Sequence, residues 1–395
     1  MENSVTQNFI KNKKDSMEAS SYTVALLLIL KSAVLTIACT VFVDAVDRAA
    51  KNKHANTSWW LHGNRQSFAY AATVAIVIVV EVSGLLLALV QTASIADAEA
   101  QRAQANAIFA AATPSILSGT LLMLGLFFLV VDICECPRWL HSRKLQDVKR
   151  DPLAVYVEMY PTLMRSTVAS QVVGALCCLF WFDRCGSDFE PLWSVLLGGA
   201  LPGAHSAATY LWRSFLPSLV LFAAGYDFIF WAVHRAMHKS AYLYKRFHSV
   251  HHKYTAPCAL EGAYFDPVDL LLGNLCPMFL VAPLTTTSGV TILLLSVTGA
   301  ASVCAAHSGY NLKPLHDPGI HDRHHEFYDV NFSSFIILDV LFGTFLGEEA
   351  GAKRREARRV RARARLRTSA GAGGAEASSA APRRSPRLAR LRLVD

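Results

Sequence analysis

Three short motifs carry eight of the chain's 14 histidines: HRAMH (His234, His238), HSVHH (His248, His251, His252) and HDRHH (His321, His324, His325). Neutral imidazole is the commonest metal ligand among side chains. On a helix, residues four apart share a face, so His234 with His238, His248 with His252, and His321 with His325 can each turn two ring nitrogens on one ion. The adjacent histidines of each HxxHH lie about 100° apart around a helix axis, so they can serve two ions, or one ion from two sides. With His307 in HSGYN the set reaches nine, too many for one tetrahedral zinc and about right for two metals. Ligand type alone leaves iron, copper, nickel and zinc open. A single histidine is ordinarily a satisfied polar residue, and His54, His62, His141, His205 and His316 are read that way.

The elements that must position these boxes are apolar. Of 395 residues, 53% are hydrophobic and 17% charged, a balance that points to a membrane-embedded chain. A bilayer core of about 30 Å needs about 20 apolar residues per helix. Spans are expected near 23–45, 67–95, 108–132, 166–183 and 214–233, and the apolar block 268–305 is long enough for two short helices or a deep hairpin. The predicted fold is all-α, a multi-span membrane bundle with a cytosolic cap that holds two metals. Residues 1–145 form an N-terminal membrane extension, 146–349 the histidine-box domain with its core at 214–347, and 350–395 a tail. No secretory signal is expected, because Lys11, Lys13 and Lys14 precede no short apolar core.

The net charge of +8 belongs to that tail, which carries 14 Lys and Arg against Glu356, Glu376 and Asp395 and leaves the remainder slightly acidic. Its Arg, Ala, Ser, Gly and Pro composition predicts disorder, and contact with anionic lipid rather than nucleic acid. The nine cysteines include no CxxC pair and are read as reduced and structural.

All three boxes must reach one side of the membrane. If 214–233 delivers HRAMH to the cytosol, HSVHH follows on that face, and 268–305 must enter and return before His307 and HDRHH. The basic loops 46–66 and 133–165 then also face the cytosol, while 96–107 carries Arg102 alone, as the positive-inside rule prefers. On this topology Asn56, in an NTS sequon, stays unglycosylated.

Around the boxes stand HHKYTAP, HSGY, and NFSS followed by DVLFGT. This stretch, about residues 214–347, resembles the fatty acid hydroxylase and sterol desaturase superfamily of membrane di-iron oxygenases, most closely its C-4 methylsterol oxidase branch, with sterol 25-hydroxylases next. The resemblance implies metal ligation by His234, His238, His248, His251, His252, His321, His324 and His325, with His307 as a ninth. It implies two iron ions, molecular oxygen as co-substrate, a sterol or other lipid as substrate, and electrons from a separate donor, cytochrome b5 with its reductase. It also places the protein in the endoplasmic reticulum membrane. One departure is the stretch between His307 and His321, which is shorter than the family's usual segment and bears on how the last box reaches the site.

Acids near the boxes are candidates for orienting the imidazoles: Asp227, seven residues before His234 on the same helical face, and Asp322 and Glu326 beside the last box. Glu261, Tyr310 and Asn331 are weaker candidates. The competing class is a metal-handling membrane protein. Transporters place ionisable ligands at mid-membrane, whereas these boxes stand at the ends of spans with fixed spacing, which favours the oxygenase.

Overall fold

The computed structural model describes residues 91, 92, 95, 97–146, 152–185, 216–285, 289–313 and 317–372. The expected span 23–45, nearly all of 67–95, Asn56 and the tail beyond residue 372 lie outside them. The described residues are helical and contain no strand, apart from one isolated bridge between Lys144 and Tyr310. The principal helices are α1 (Ala98–Cys134), α2 (Pro152–Cys185), α3 (Leu216–Lys239), the helical run α4 (Pro267–Leu284), α5 (Gly289–His307), α6 (Pro318–Phe327) and α7 (Glu348–Ala372).

Three stretches among the described residues are long and apolar enough to cross a membrane: Ala111–Cys134 of α1, α3, and α4. The expected span 166–183 is continuous helix within α2. Helices α1 and α2 pack through Leu122, Leu129, Tyr156, Met159, Tyr160 and Leu163, and Leu260 closes the same cluster from the loop after the second box. Gly125 makes room there, since a Cβ would lie 2.2 Å from the Leu260 side chain. Helices α3, α4 and α5 meet through Phe222, Val281, Ala282 and Ile292. Each Leu, Val, Ile, Met or Phe side chain among these contributes roughly 1.5–3 kcal/mol if a comparable surface would otherwise face water.

The block 268–305 resolves into α4 and α5, a helical excursion that leaves near the second box and returns at His307. Its start follows from sequence: Asp266 caps by accepting from the Val268 amide at 2.9 Å, and Pro267 takes the first helical position. A π-helical stretch, Leu270–Leu275, follows Asp269.

The chain divides into two units after Leu346. In the second, α7 replaces the disorder expected from residue 350 onward with helix as far as Ala372. The reason is local: Ala, Arg, Glu and Lys are strong helix formers, and Pro and closely spaced Gly come only later.

Candidate metal centre

The stripe Asp227, Trp231, His234 and His238 runs along α3 at intervals of four, three and four residues, and brings the first box to the helix end. The second box is not on a regular α-helix. Tyr244–His248 is π-helical, with the Ser249 amide donating to the Tyr244 carbonyl at 2.7 Å, and His251–Lys253 is a 3-10 turn with His252 at φ −87°, ψ 23°. Such π turns recur at functional sites because the extra residue re-aims the side chains that follow. The third box rides on α6, capped by the Asp317 carboxylate on the Gly319 amide at 3.1 Å and stopped by Tyr328 in the left-handed region.

The nine histidines gather into two groups: His234, His238, His248, His252 and His324 in one, and His251, His307, His321 and His325 in the other, with the ligand atoms of each group within 4.8 Å of one another. Every i, i+4 pair falls within one group, and each adjacent pair splits between the two. The π and 3-10 turns preserve the pairing of His248 with His252 without the continuous helix that the spacing suggested. The short stretch between His307 and His321 is sufficient, since their Nε2 atoms stand 2.9 Å apart.

Five imidazoles have their tautomer fixed by an acceptor at Nδ1: His234 on the Phe332 carbonyl (2.9 Å), His248 on Asp269 Oδ2 (2.8 Å), His324 on the Val330 carbonyl (2.7 Å), His307 on the Val303 carbonyl (2.8 Å) and His325 on the Tyr254 carbonyl (3.2 Å). Carbonyls and carboxylates only accept, so Nδ1 carries the proton and Nε2 presents a lone pair. The Nε2 atoms of the first group follow one another from His238 to His248 (3.0 Å), His252 (3.1 Å) and His324 (3.2 Å). In the second group His307 lies 3.4 Å from His251, and His325 3.1 Å from His321. Two nitrogens at about 2.1 Å from one ion and 90–109° apart would be about 3.0–3.4 Å from each other, so these spacings suit the edges of a coordination shell. Burial, reinforced by neighbouring imidazoles, holds His251, His252, His321, His324 and His325 well below the usual histidine range. They stay neutral at pH 7, as ligation requires. The donor set thus fits two cations.

The predicted acids are placed differently from expectation. Asp227 is buried but touches no imidazole; it accepts from the Ser334 amide at 2.7 Å and the Ser333 hydroxyl at 2.9 Å. Because helix α3 also carries His234, this clamps the chain next to Phe332, whose carbonyl holds that ring. Asp322 accepts from Gln146 Nε2 at 2.9 Å, and burial pushes its carboxyl up to about 7 against that hydrogen bond. Glu326 is half-buried on α6 beside His325. Glu261, fully buried, accepts from the Tyr254 amide at 3.2 Å and so steadies the residue whose carbonyl holds His325. Tyr310 donates to Asp132 Oδ1, and Asn331 ties the Ile320 and Leu346 backbones together.

Sequence reasoning missed Asp269, the carboxylate that does hold a box histidine. Its signal was the D-P-x-D helix start, which puts an acid in the first turn of α4, the next long helix after the second box. It also missed Asp339, which accepts from Trp231 Nε1, two backbone amides and the Thr344 hydroxyl. Gln146 was missed as well: its Nε2 bridges the Pro257 carbonyl (3.0 Å) and Asp322. The segment before it pairs with the HSGYN turn, Leu145 N to Gly309 O at 2.8 Å and Asn311 N to Arg143 O at 2.9 Å. Gly309, at φ 71°, is required there because a Cβ would meet the Gln146 side chain at 2.4 Å.

Comparison with known proteins agrees with this geometry. Residues 219–344 match the family model described as fatty acid hydroxylase. Fatty acid hydroxylase ahd1 of Mycosarcoma maydis is 29% identical over 226 residues, 57% of this chain and 54% of that protein. Methylsterol monooxygenase erg25A of Aspergillus fumigatus is 33% identical over 162 residues, 38% of this chain and 53% of that protein. Very-long-chain aldehyde decarbonylase GL1-11 of Oryza sativa is 34% identical over 161 residues, 38% of this chain and 57% of that protein. The chain spans about half the length of the curated relatives it matches. No solved structure matches it. On the histidine boxes, their two groups and the family match together, residues 219–344 are a fatty acid hydroxylase domain.

Proposed function

We propose that the chain is a membrane di-iron oxygenase of lipids, with His234, His238, His248, His252 and His324 holding one iron and His251, His307, His321 and His325 the other. The observation that carries this reading is the convergence of Nε2 atoms in two groups while five of the nine Nδ1 atoms are engaged elsewhere. When bound, two irons with molecular oxygen, two electrons and two protons would supply the oxidising strength to turn C–H into C–OH, with water as the second product. The protein's own part is to gather the nine imidazoles, fix five of the rings through Asp269 and four backbone carbonyls, and keep the site dry. Electrons come from a separate donor, cytochrome b5 with its reductase.

The substrate proposed is a sterol, oxidised at a C-4 methyl group. HHKYTAP, HSGY and NFSS support it, as does the similarity to erg25A. A second reading, hydroxylation of a fatty acyl chain, is favoured by the longer match to ahd1. The proposed location is the endoplasmic reticulum membrane with the boxes in the cytosol. Support comes from Arg138, Arg143 and Lys144, just before Leu145: that residue is bonded to Gly309, so positive charge and the histidine groups share a side. On this reading residues 146–349 are the working domain, 1–145 a membrane extension, and 350–395 an appended tail.

The test is the sterol profile of yeast membranes that lack their own methylsterol oxidase and contain this chain. A fall in 4,4-dimethylsterols, abolished by joint His251→Ala and His252→Ala substitution with membrane insertion intact, is expected. An unchanged profile despite verified protein would remove the sterol assignment and turn the search to acyl lipids. A substituted protein with full turnover would remove the ligand assignment itself.

A further inference from the structure

Residues Asn331–Phe335 form irregular backbone, yet five consecutive amides have internal acceptors. Asn331 donates to the Thr344 carbonyl (2.9 Å), Phe332 and Ser333 to the two oxygens of Asp339 (2.9 and 2.8 Å), Ser334 to Asp227 (2.7 Å), and Phe335 to the Ser333 hydroxyl (3.1 Å). A loop in water has no need of two buried carboxylates for this purpose. Within hydrocarbon, irregular backbone persists only where protein groups satisfy it.

The side chains that follow fit the same setting. Phe335, Ile337, Val340, Leu341, Phe342 and Phe345 are all exposed, with Ile337 and Leu341 each at 71%. An apolar face of that extent is unusual against water. Its position along α3 is fixed at three levels. Asp227 holds Ser333 and Ser334, Trp231 stacks on Phe342 with centroids 4.4 Å apart, and His234 bonds the Phe332 carbonyl. Asp227 stands at the middle of α3, about 16 Å along the axis from His238. Val220, Leu221 and Phe228 of α3 are exposed as well, so the two apolar faces belong to one helix environment.

We propose that Phe335–Phe345 is a re-entrant element that dips into the acyl chains of the leaflet beneath the histidine groups and returns, with lipid as the occupant of its exposed face. Asp227 and Asp339 are there to accept the amides of Phe332, Ser333 and Ser334, the irregular backbone that leads into it, where no water can. Because Phe332 and Val330 hold His234 and His324, the element also ties the first histidine group to the bilayer. The proposal rests on the reading of α3 as a membrane span.

The experiment places a benzophenone amino acid at Ile337 or Leu341 of the full chain in vesicles containing an alkyne-tagged phosphatidylcholine. Val220 serves as the reference within α3, and Glu158, an exposed acid near the second box, as the reference in water. Irradiation is expected to give lipid adducts at Ile337 and Leu341 in yields like those at Val220 and at least about fivefold above Glu158. Yields at the Glu158 level while Val220 reacts would overturn the re-entrant element and leave the membrane span standing. Crosslinks to a second copy of the chain would make the face a protein interface and overturn it too. Failure at Val220 together with both test positions would overturn the span and the element.

Discussion

The two histidine groups differ in what holds them. In the group of five, each fixed tautomer depends on residues within 219–344: Phe332 and Val330 by their carbonyls, Asp269 by its carboxylate. The group of four also relies on Val303 and Tyr254, and the turn after its His307 is paired with Arg143 and Leu145, upstream of the matched domain, where Gln146 also holds Asp322 on α6, the helix that carries His324 of the first group beside His321 and His325 of the second. The lesson is that a domain boundary drawn from similarity separates one group from part of its support. The first group meets that upstream segment only through α6, whereas the second meets it through α6 and through the turn after His307.

Substitutions can break this contrast, beginning with the most damaging. His248→Ala removes the ring whose Nε2 lies beside those of both His238 and His252, and turnover should fall by at least about a hundredfold, measured as product per chain. Asp269→Asn keeps the shape but weakens the hold on His248, and should cost roughly ten- to a hundredfold in metal affinity at the first group alone, read as one changed phase in a chelator titration. Gln146→Ala should weaken the second phase more than the first, by about fivefold, the worth of a hydrogen bond of roughly 1 kcal/mol, because Asp322 adjoins His321. If either variant shifts both phases equally, the groups are not independently supported. Glu158→Ala removes an exposed pair with Lys253, next to His252 in the chain, and should move stability by less than about 1 kcal/mol and metal content not at all.

Much of the arrangement was legible because helical periodicity depends on the sequence alone. The pairs four apart and the length of the excursion over 268–305 follow from spacing and apolar length, whereas for adjacent histidines spacing left two ions, or one ion from two sides, both open. The acids were harder, because a carboxylate's partner is set by tertiary contact. Asp227 shares a helical face with His234 but spends its oxygens on Ser333 and Ser334, whereas Asp269, 21 residues from His248 in sequence, reaches it across the start of α4. Gln146 was out of reach for the same reason, since its two acceptors are 111 and 176 residues away. The π turn at Tyr244–His248 has no propensity signature. The opposite error occurred at α7, where composition suggested a solvated coil although the residues themselves favour helix.

The central claim is that nine histidines form two metal positions occupied by iron. The most direct measurement is the metal content of the purified full chain by mass spectrometry, with the Mössbauer spectrum of iron-57-grown protein. The account predicts two irons per chain in nitrogen-rich environments, falling to one or none in His252→Ala. One metal per chain in the unsubstituted protein, or zinc at both positions with activity intact, would contradict it.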